Sequence, residues 1–224
     1  MLGVKNITVK ISESTILRGL TLEVPTGSII ALVGRNGAGK TTTIRSIMGL
    51  LAVTEGKISL DGHDLGPLPA HHRAKLGIGY LPEDRRLISA LTVEENLLMP
   101  AQALGLPAVK ERLDTIYGLL PEVRMVAGRK ATQLSGGQQK LVALGRSFVN
   151  GKKLLLLDEP FEGISMALSR KLAQAVKKFQ KAEVGLSVLV AESDLKRAAM
   201  LTDNVYVIER GEVVEETSIG GNVK

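Results

Sequence analysis

With 224 residues, 44% of them hydrophobic and 23% charged, the chain is long enough to bury a core and too ordinary in composition for a disordered, collagen-like or coiled-coil protein. The absence of cysteine excludes a disulfide framework, a thiolate metal site and a cysteine nucleophile, and fits a reducing compartment. A net charge of +6 would suit nucleic acid or anionic lipid, but three Phe, three Tyr and no Trp leave too few rings for a base-stacking platform. A solvated basic surface is expected instead, with no nucleic-acid partner.

No apolar run approaches the ~20 residues that span a bilayer, and Met1 to Lys10 lacks the pattern of a signal peptide, so the chain is expected to stay in the cytoplasm. In chain order, Leu20 to Val24 alternates apolar and polar residues like a half-buried strand and ends at Pro25-Thr26-Gly27. Ile29 to Val33 is continuously apolar, the mark of a strand covered on both faces in a parallel sheet. A helix is predicted over about Lys40 to Met48, stopped by Gly49. Lys57 to Leu60 followed by Asp61-Gly62 reads as an exposed strand and turn, part of an antiparallel flap.

Between about Asp84 and Asn150 the period turns helical, with Val93, Leu97 and Leu98 on one face and Leu113, Ile116, Leu119 and Leu120 on another. Buried-strand runs return at Leu154 to Leu157 and Leu186 to Ala191, so the parallel core resumes after a helical lobe. Val205 to Ile208 and Glu212 to Val214, separated by Glu209-Arg210-Gly211, predict a final hairpin.

Between the strand at Ile29 to Val33 and the helix from Lys40 lies Gly34-Arg35-Asn36-Gly37-Ala38-Gly39-Lys40-Thr41, then Thr42. It fits G-x-x-x-x-G-K followed by Ser or Thr, in the strand-loop-helix setting of a phosphate-binding loop. Glycines let backbone N–H groups wrap an anion, Lys40 offers a point charge for the β- and γ-phosphates, and the Thr41 hydroxyl can ligate Mg²⁺. A dinucleotide fingerprint fails, because its last glycine would fall on Thr42. Such a loop needs carboxylates at the end of another buried strand. Leu154 to Leu157 delivers Asp158, suited to the magnesium shell, and Glu159, suited to polarise the attacking water.

Leu134-Ser135-Gly136-Gly137-Gln138 opens a further helix with a capping serine. With the phosphate loop before it and the apolar run and Asp158-Glu159-Pro160 after it, the whole chain resembles the ATP-binding cassette (ABC) family. The resemblance implies an α/β fold, a P-loop NTPase cassette with a mostly parallel core sheet, an N-terminal antiparallel β subdomain and an inserted helical subdomain. The expected division is one domain over 1–224, with the helical lobe at 84–150. It also implies ATP and Mg²⁺ as ligands and a head-to-tail dimer with an identical or paralogous cassette. There Ser135, Gly136, Gly137 and Gln138 of one copy would meet the ATP held by the P-loop of the other.

Ile78 to Arg86, Leu91 to Leu97, Leu144-Gly145-Arg146-Ser147 and Glu159 to Ile164 look like the ATPase subunits of branched-chain amino-acid importers. That likeness implies permease subunits as partners, a periplasmic solute-binding protein acting through them, and a place on the inner face of the cell membrane. The segment Glu83 to Leu91 would then contact the membrane partner.

Four positions depart from the family pattern. The adenine-stacking aromatic is replaced near Ile11, the Q-loop glutamine by Glu83 (still able to approach Mg²⁺), the γ-phosphate histidine by Ser193 and the D-loop aspartate by Ser165. Serine donates a hydrogen bond but carries no positive charge, so Ser193 leaves more of the water alignment to Glu159. The histidines, His63, His71 and His72, are expected at the surface. Two other readings stay open: a non-transport ABC ATPase, and a cassette that binds ATP and dimerises with little hydrolysis.

Overall fold

Leucines 154 to 157 show why the core has two faces. In the computed structural model, which describes residues 1–218, all four are buried, Leu154 and Leu156 in one apolar cluster and Leu155 and Leu157 in the other. A strand turns successive side chains to opposite faces, so an unbroken apolar run requires cover on both sides. Residues 219–224 of the expected domain lie outside the described residues.

The covered sheet has the order β10-β9-β3-β8-β7-β6. Strands β3 (Ile29–Val33), β6 (Ile78–Leu81), β7 (Leu154–Asp158), β8 (Ser187–Glu192) and β9 (Asn204–Glu209) run parallel, and β10 (Glu212–Ser218) is an antiparallel edge. The tail is thus a hairpin whose first arm is built into the core beside β3. Its outer arm carries Glu212, Glu215 and Glu216, charges that discourage edge-to-edge pairing.

A second, antiparallel sheet has the order β2-β1-β4-β5, from β1 (Leu2–Ile11), β2 (Ser14–Val24), β4 (Glu55–Leu60) and β5 (His63–Asp64). It packs with helix α1 (Lys40–Met48) over one face of the main sheet, joining Leu17, Leu22 and Ile58 to Ile44, Ile47, Leu32 and Leu189. α1 stops at Gly49, in left-handed conformation, as predicted.

The other face is covered by helices. These are α3 (Val93–Leu104), α4 (Val109–Leu119), α5 (Pro121–Met125), α6 (Gly136–Asn150) and α7 (Met166–Ala182), while α2 (Ala70–Lys75) and α8 (Leu195–Ala198) are short. Val93 and Leu97 of α3, Ile116 of α4 and Leu120 just beyond it are fully buried; Leu98, Leu113 and Leu119 are only partly so. β1, β6 and the helices α2, α7 and α8 are absent from the sequence expectations. In α7 the pattern is legible, because Leu172, Val176 and Phe179 fall at helical spacing and are buried, but lysines and glutamines dilute it.

Candidate functional site

The loop after β3 cannot close without a reversal of backbone sign. Gly39 has φ 114°, and there it gives α1 a start without a side-chain cap or an acid in the first turn. An uncapped helix N-terminus leaves N–H groups and a partial positive charge for an anion.

Lys40, 4% exposed, folds back over this loop. Its ammonium donates to the carbonyls of Gly34 (2.8 Å) and Arg35 (3.2 Å) and pairs with Glu159 Oε1 at 3.1 Å. Thr41 Oγ1 donates to Asp158 Oδ1 at 3.0 Å, joining the loop to the end of β7. Asp158 is fully buried and its Oδ2 has no hydrogen-bond partner. Burial pushes its carboxyl up to about 6, with Glu83 and Glu159 adding to the rise and the Thr41 hydroxyl opposing it.

Glu159 sits at φ 46°, a left-handed conformation uncommon for a side chain of its kind. Its Oε2 accepts from Ser193 Oγ at 3.2 Å, so the residue in the histidine position does reach the carboxylate. Ser165 caps α7 by accepting from the N–H of Leu168, a task that serine and aspartate perform about equally well.

A cleft of about 420 Å³ opens over this constellation. Asn36, Gly37, Gly39, Lys40, Thr41 and Thr42 form its floor, and Glu83 and Glu159 stand at its side. Ile11 also lines it, together with Ile16, which the sequence reasoning missed; the two aliphatic residues flank the tight turn between β1 and β2. Glu162 is a second lining residue not foreseen. Gly34, Arg35 and Ala38 lie in the loop without lining the cleft, and Asp158 and Ser193 stand behind Thr41 and Glu159.

Ser135, Gly136, Gly137 and Gln138 do not line the cleft. Ser135 caps α6 in a reciprocal box: its Oγ accepts from the Gln138 N–H, and Gln138 Oε1 accepts from its own N–H. At Gly137 a Cβ would meet Leu168 Cδ2 at 2.8 Å, so glycine also serves the packing of α7 here. Ser135 and Gly136 are exposed.

Behind the site lies a carboxyl that the sequence reasoning gave no role. Glu192 at the end of β8 is fully buried; its Oε1 accepts from the Phe161 N–H at 3.1 Å and its Oε2 is unpartnered. Burial pushes it up to about 7, reinforced by Glu159 and opposed by the Phe161 N–H, Arg197 and Lys140. Between its ordinary value of 4.5 and about 7 the folded chain therefore holds a proton that the unfolded chain has lost, so stability falls as pH rises through this window. Glu192→Gln is expected to leave stability nearly unchanged at pH 4 and to raise it by roughly 1–3 kcal/mol at pH 8. Urea unfolding of both chains at the two pH values checks this; an equal difference at both would show the carboxyl to be unshifted.

The hard oxygen donors of Thr41 and Asp158, one of them an orphaned buried carboxylate oxygen, suit magnesium, which takes one or two carboxylates and leaves its other positions to phosphate and water. Among the described residues no cluster of three His, Cys, Asp or Glu side chains could hold a metal by itself. His71 and His72 are both exposed, with ring centroids 4.4 Å apart.

Residues 17–162 match the ABC transporter family. A probable branched-chain amino acid transport ATP-binding protein of Archaeoglobus fulgidus is 36% identical over 90% of this chain and 85% of its own length. A high-affinity branched-chain amino acid transport ATP-binding protein of Pseudomonas aeruginosa is 31% identical over 96% and 91%. The lipopolysaccharide export system ATP-binding protein of Escherichia coli is 29% identical over 95% and 88%. Among solved structures, a dimeric ATP-binding cassette in a post-hydrolysis state bound to ADP and Pi superposes with a TM-score of 0.88 at 27% identity, covering 99% of this chain and 100% of that one.

Proposed function

The chain belongs to the ABC transporter family as one of its ATP-hydrolysing subunits, and on that premise we propose that it powers a membrane importer for branched-chain amino acids or a related small solute. The observation that carries the chemical part is the set of contacts Thr41–Asp158, Lys40–Glu159 and Glu159–Ser193 around one cleft.

In this reading the loop N–H groups and Lys40 take the phosphates, while Ile11 and Ile16 cover the base. Thr41 and Asp158, with Glu83 near them, would hold magnesium, whose charge would offset that of the phosphates. Lys40 exchanges Glu159 and the loop carbonyls for phosphate oxygens. Glu159, freed of that ion pair and oriented by Ser193, accepts a proton from the water that attacks the γ-phosphorus as the bond to ADP breaks. Ser135, Gly136, Gly137 and Gln138 are exposed or partly exposed and away from their own cleft, which supports their use by the ATP of a second cassette.

The permease contact is assigned to Glu83 to Leu91. Arg146 holds this segment by donating to the carbonyls of Arg85 and Arg86, and the buried Asn96 pins Ile88 by its N–H and its carbonyl. Arg86 and Ile88 are left exposed on an anchored loop. Among the described residues no helix is long and apolar enough to cross a membrane, so permease subunits would supply the path, at the inner membrane face, with a periplasmic binding protein delivering solute.

Deleting the chain from its source cells is expected to bring uptake of labelled leucine, isoleucine or valine close to background. Unchanged uptake of all three would remove the branched-chain reading. Loss of an envelope lipid instead would favour the second reading, an export subunit, which the similarity to lipopolysaccharide export ATP-binding proteins supports.

A further inference from the structure

Lys140 is among the largest fully buried side chains of the protein, 1% exposed, and ends beside the catalytic turn rather than in solvent. Its Nζ donates to the backbone carbonyl of Glu159 at 2.7 Å. Burial lowers its pKa, and Arg85 adds to that, while Glu192, Glu162 and Glu83 favour the charged form. An ammonium kept in such a place is costly, and an apolar side chain of similar length would fill the space at lower desolvation cost.

What the ammonium holds is a strained turn. Glu159 has φ 46°, a conformation that persists only where the surroundings over-determine it. Its N–H donates to Ala191 of β8, and its carbonyl accepts from Lys140 and from the N–H of Glu162 at 3.2 Å. Two residues on, the Phe161 N–H donates to Glu192 and the Phe161 carbonyl accepts from Arg197. The turn is therefore gripped by β8 and α8 from one direction and from α6 by Lys140 alone among these bonds.

We propose that Lys140 is a positioning residue for hydrolysis: by fixing the Glu159 carbonyl it sets the direction of the Glu159 carboxylate toward the γ-phosphate water. The inference rests on the reading of Glu159 as the group that polarises that water. Lys140 does not line the cleft. Its loss displaces the carboxylate without removing it, and a displacement of about 1 Å can cost a reaction on the order of 100-fold.

The test compares Lys140→Met and Lys140→Arg with Glu159→Gln and with the double variant, in the full chain with Mg²⁺ and radiolabelled ATP. Lys140→Met is expected to bind ATP within about twofold of the parent, to hydrolyse it roughly 10- to 100-fold more slowly, and to be largely rescued by arginine at the same position. On the Glu159→Gln background Lys140→Met should cause no further loss. Hydrogen exchange gives a readout independent of turnover: the amides of Phe161 and Glu162 should exchange about tenfold faster in Lys140→Met. Should that variant not fold, Lys140→Gln, with a donor on a shorter stem, should show intermediate values of both. Parental rate and exchange in Lys140→Met, with Glu159→Gln inactive, would overturn the positioning role alone. An equal loss on both backgrounds would overturn it in favour of a merely structural one. Glu159→Gln turning over like the parent would instead bring down the reading beneath it.

Discussion

Glu159→Gln is expected to slow ATP hydrolysis by about a thousandfold while leaving ATP affinity equal to or tighter than that of the parent. A positioned general base contributes roughly 10²- to 10⁴-fold, and the amide keeps the shape of the side chain while losing the ability to take a proton. Affinity is preserved because the carboxylate competes for Lys40: the 3.1 Å ion pair occupies the ammonium that must turn to phosphate. With hydrolysis blocked and the γ-phosphate retained, two cassettes should remain closed around their nucleotides. Light scattering with ATP and Mg²⁺ should then report a doubled mass that ADP does not produce. Hydrolysis at the parental rate would show that Glu159 is not the base. A chain that binds ATP, stays monomeric and is inactive would place the requirement for closure in the permease.

Ser193 sharpens this prediction. Its hydroxyl lies 3.2 Å from Glu159 Oε2, so it can orient the carboxylate but offers the γ-phosphate no positive charge. If Glu159 is the base, as proposed, the rate depends more heavily on it than it would beside a protonatable histidine.

The parts of this site that were legible in the sequence are those set by local backbone requirements. Glycines that permit a tight loop, an apolar strand before it, a helix stop at Gly49 and carboxylates after Leu157 are each readable within a few residues, and the α/β reading holds in the structure. The serine before the α6 run is readable as a cap, and it is one. Contacts that join distant segments were not legible. Lys140 reads as an ordinary polar position on α6, and only the folded chain, which brings its ammonium to the turn after β7, reveals it as buried beside Glu159. Glu192 reads as the polar end of a strand, whereas the structure seals it behind Phe161. Ile16 carries no signal by itself, because its place in the cleft depends on how the β1–β2 turn leans over the phosphate loop. The tail hairpin was visible as a pair of strands, but the pairing of β9 with β3 is a register between residues far apart in sequence.

Lys40→Ala is expected to produce two losses with separate causes. The first is affinity: an ammonium hydrogen-bonded to phosphate contributes about 1.5–3 kcal/mol per bond, so removing contacts to two phosphates should weaken ATP binding by at least about 100-fold. The second concerns the nucleotide-free fold. Lys40 and Glu159 are buried together, and taking away one partner leaves an uncompensated carboxylate, at a cost of roughly 3–5 kcal/mol. The carbonyls of Gly34 and Arg35 lose their ammonium donor as well. Adding Glu159→Gln to Lys40→Ala separates the two. Neutralising the stranded carboxylate should recover most of the lost stability in urea unfolding, whereas ATP affinity measured by calorimetry should stay low, since no charge has been returned to the phosphates. Recovery of both would mean that Lys40 serves the fold and that the loop N–H groups alone hold the nucleotide. Recovery of neither would mean that the cost lies in the emptied loop carbonyls and not in the ion pair.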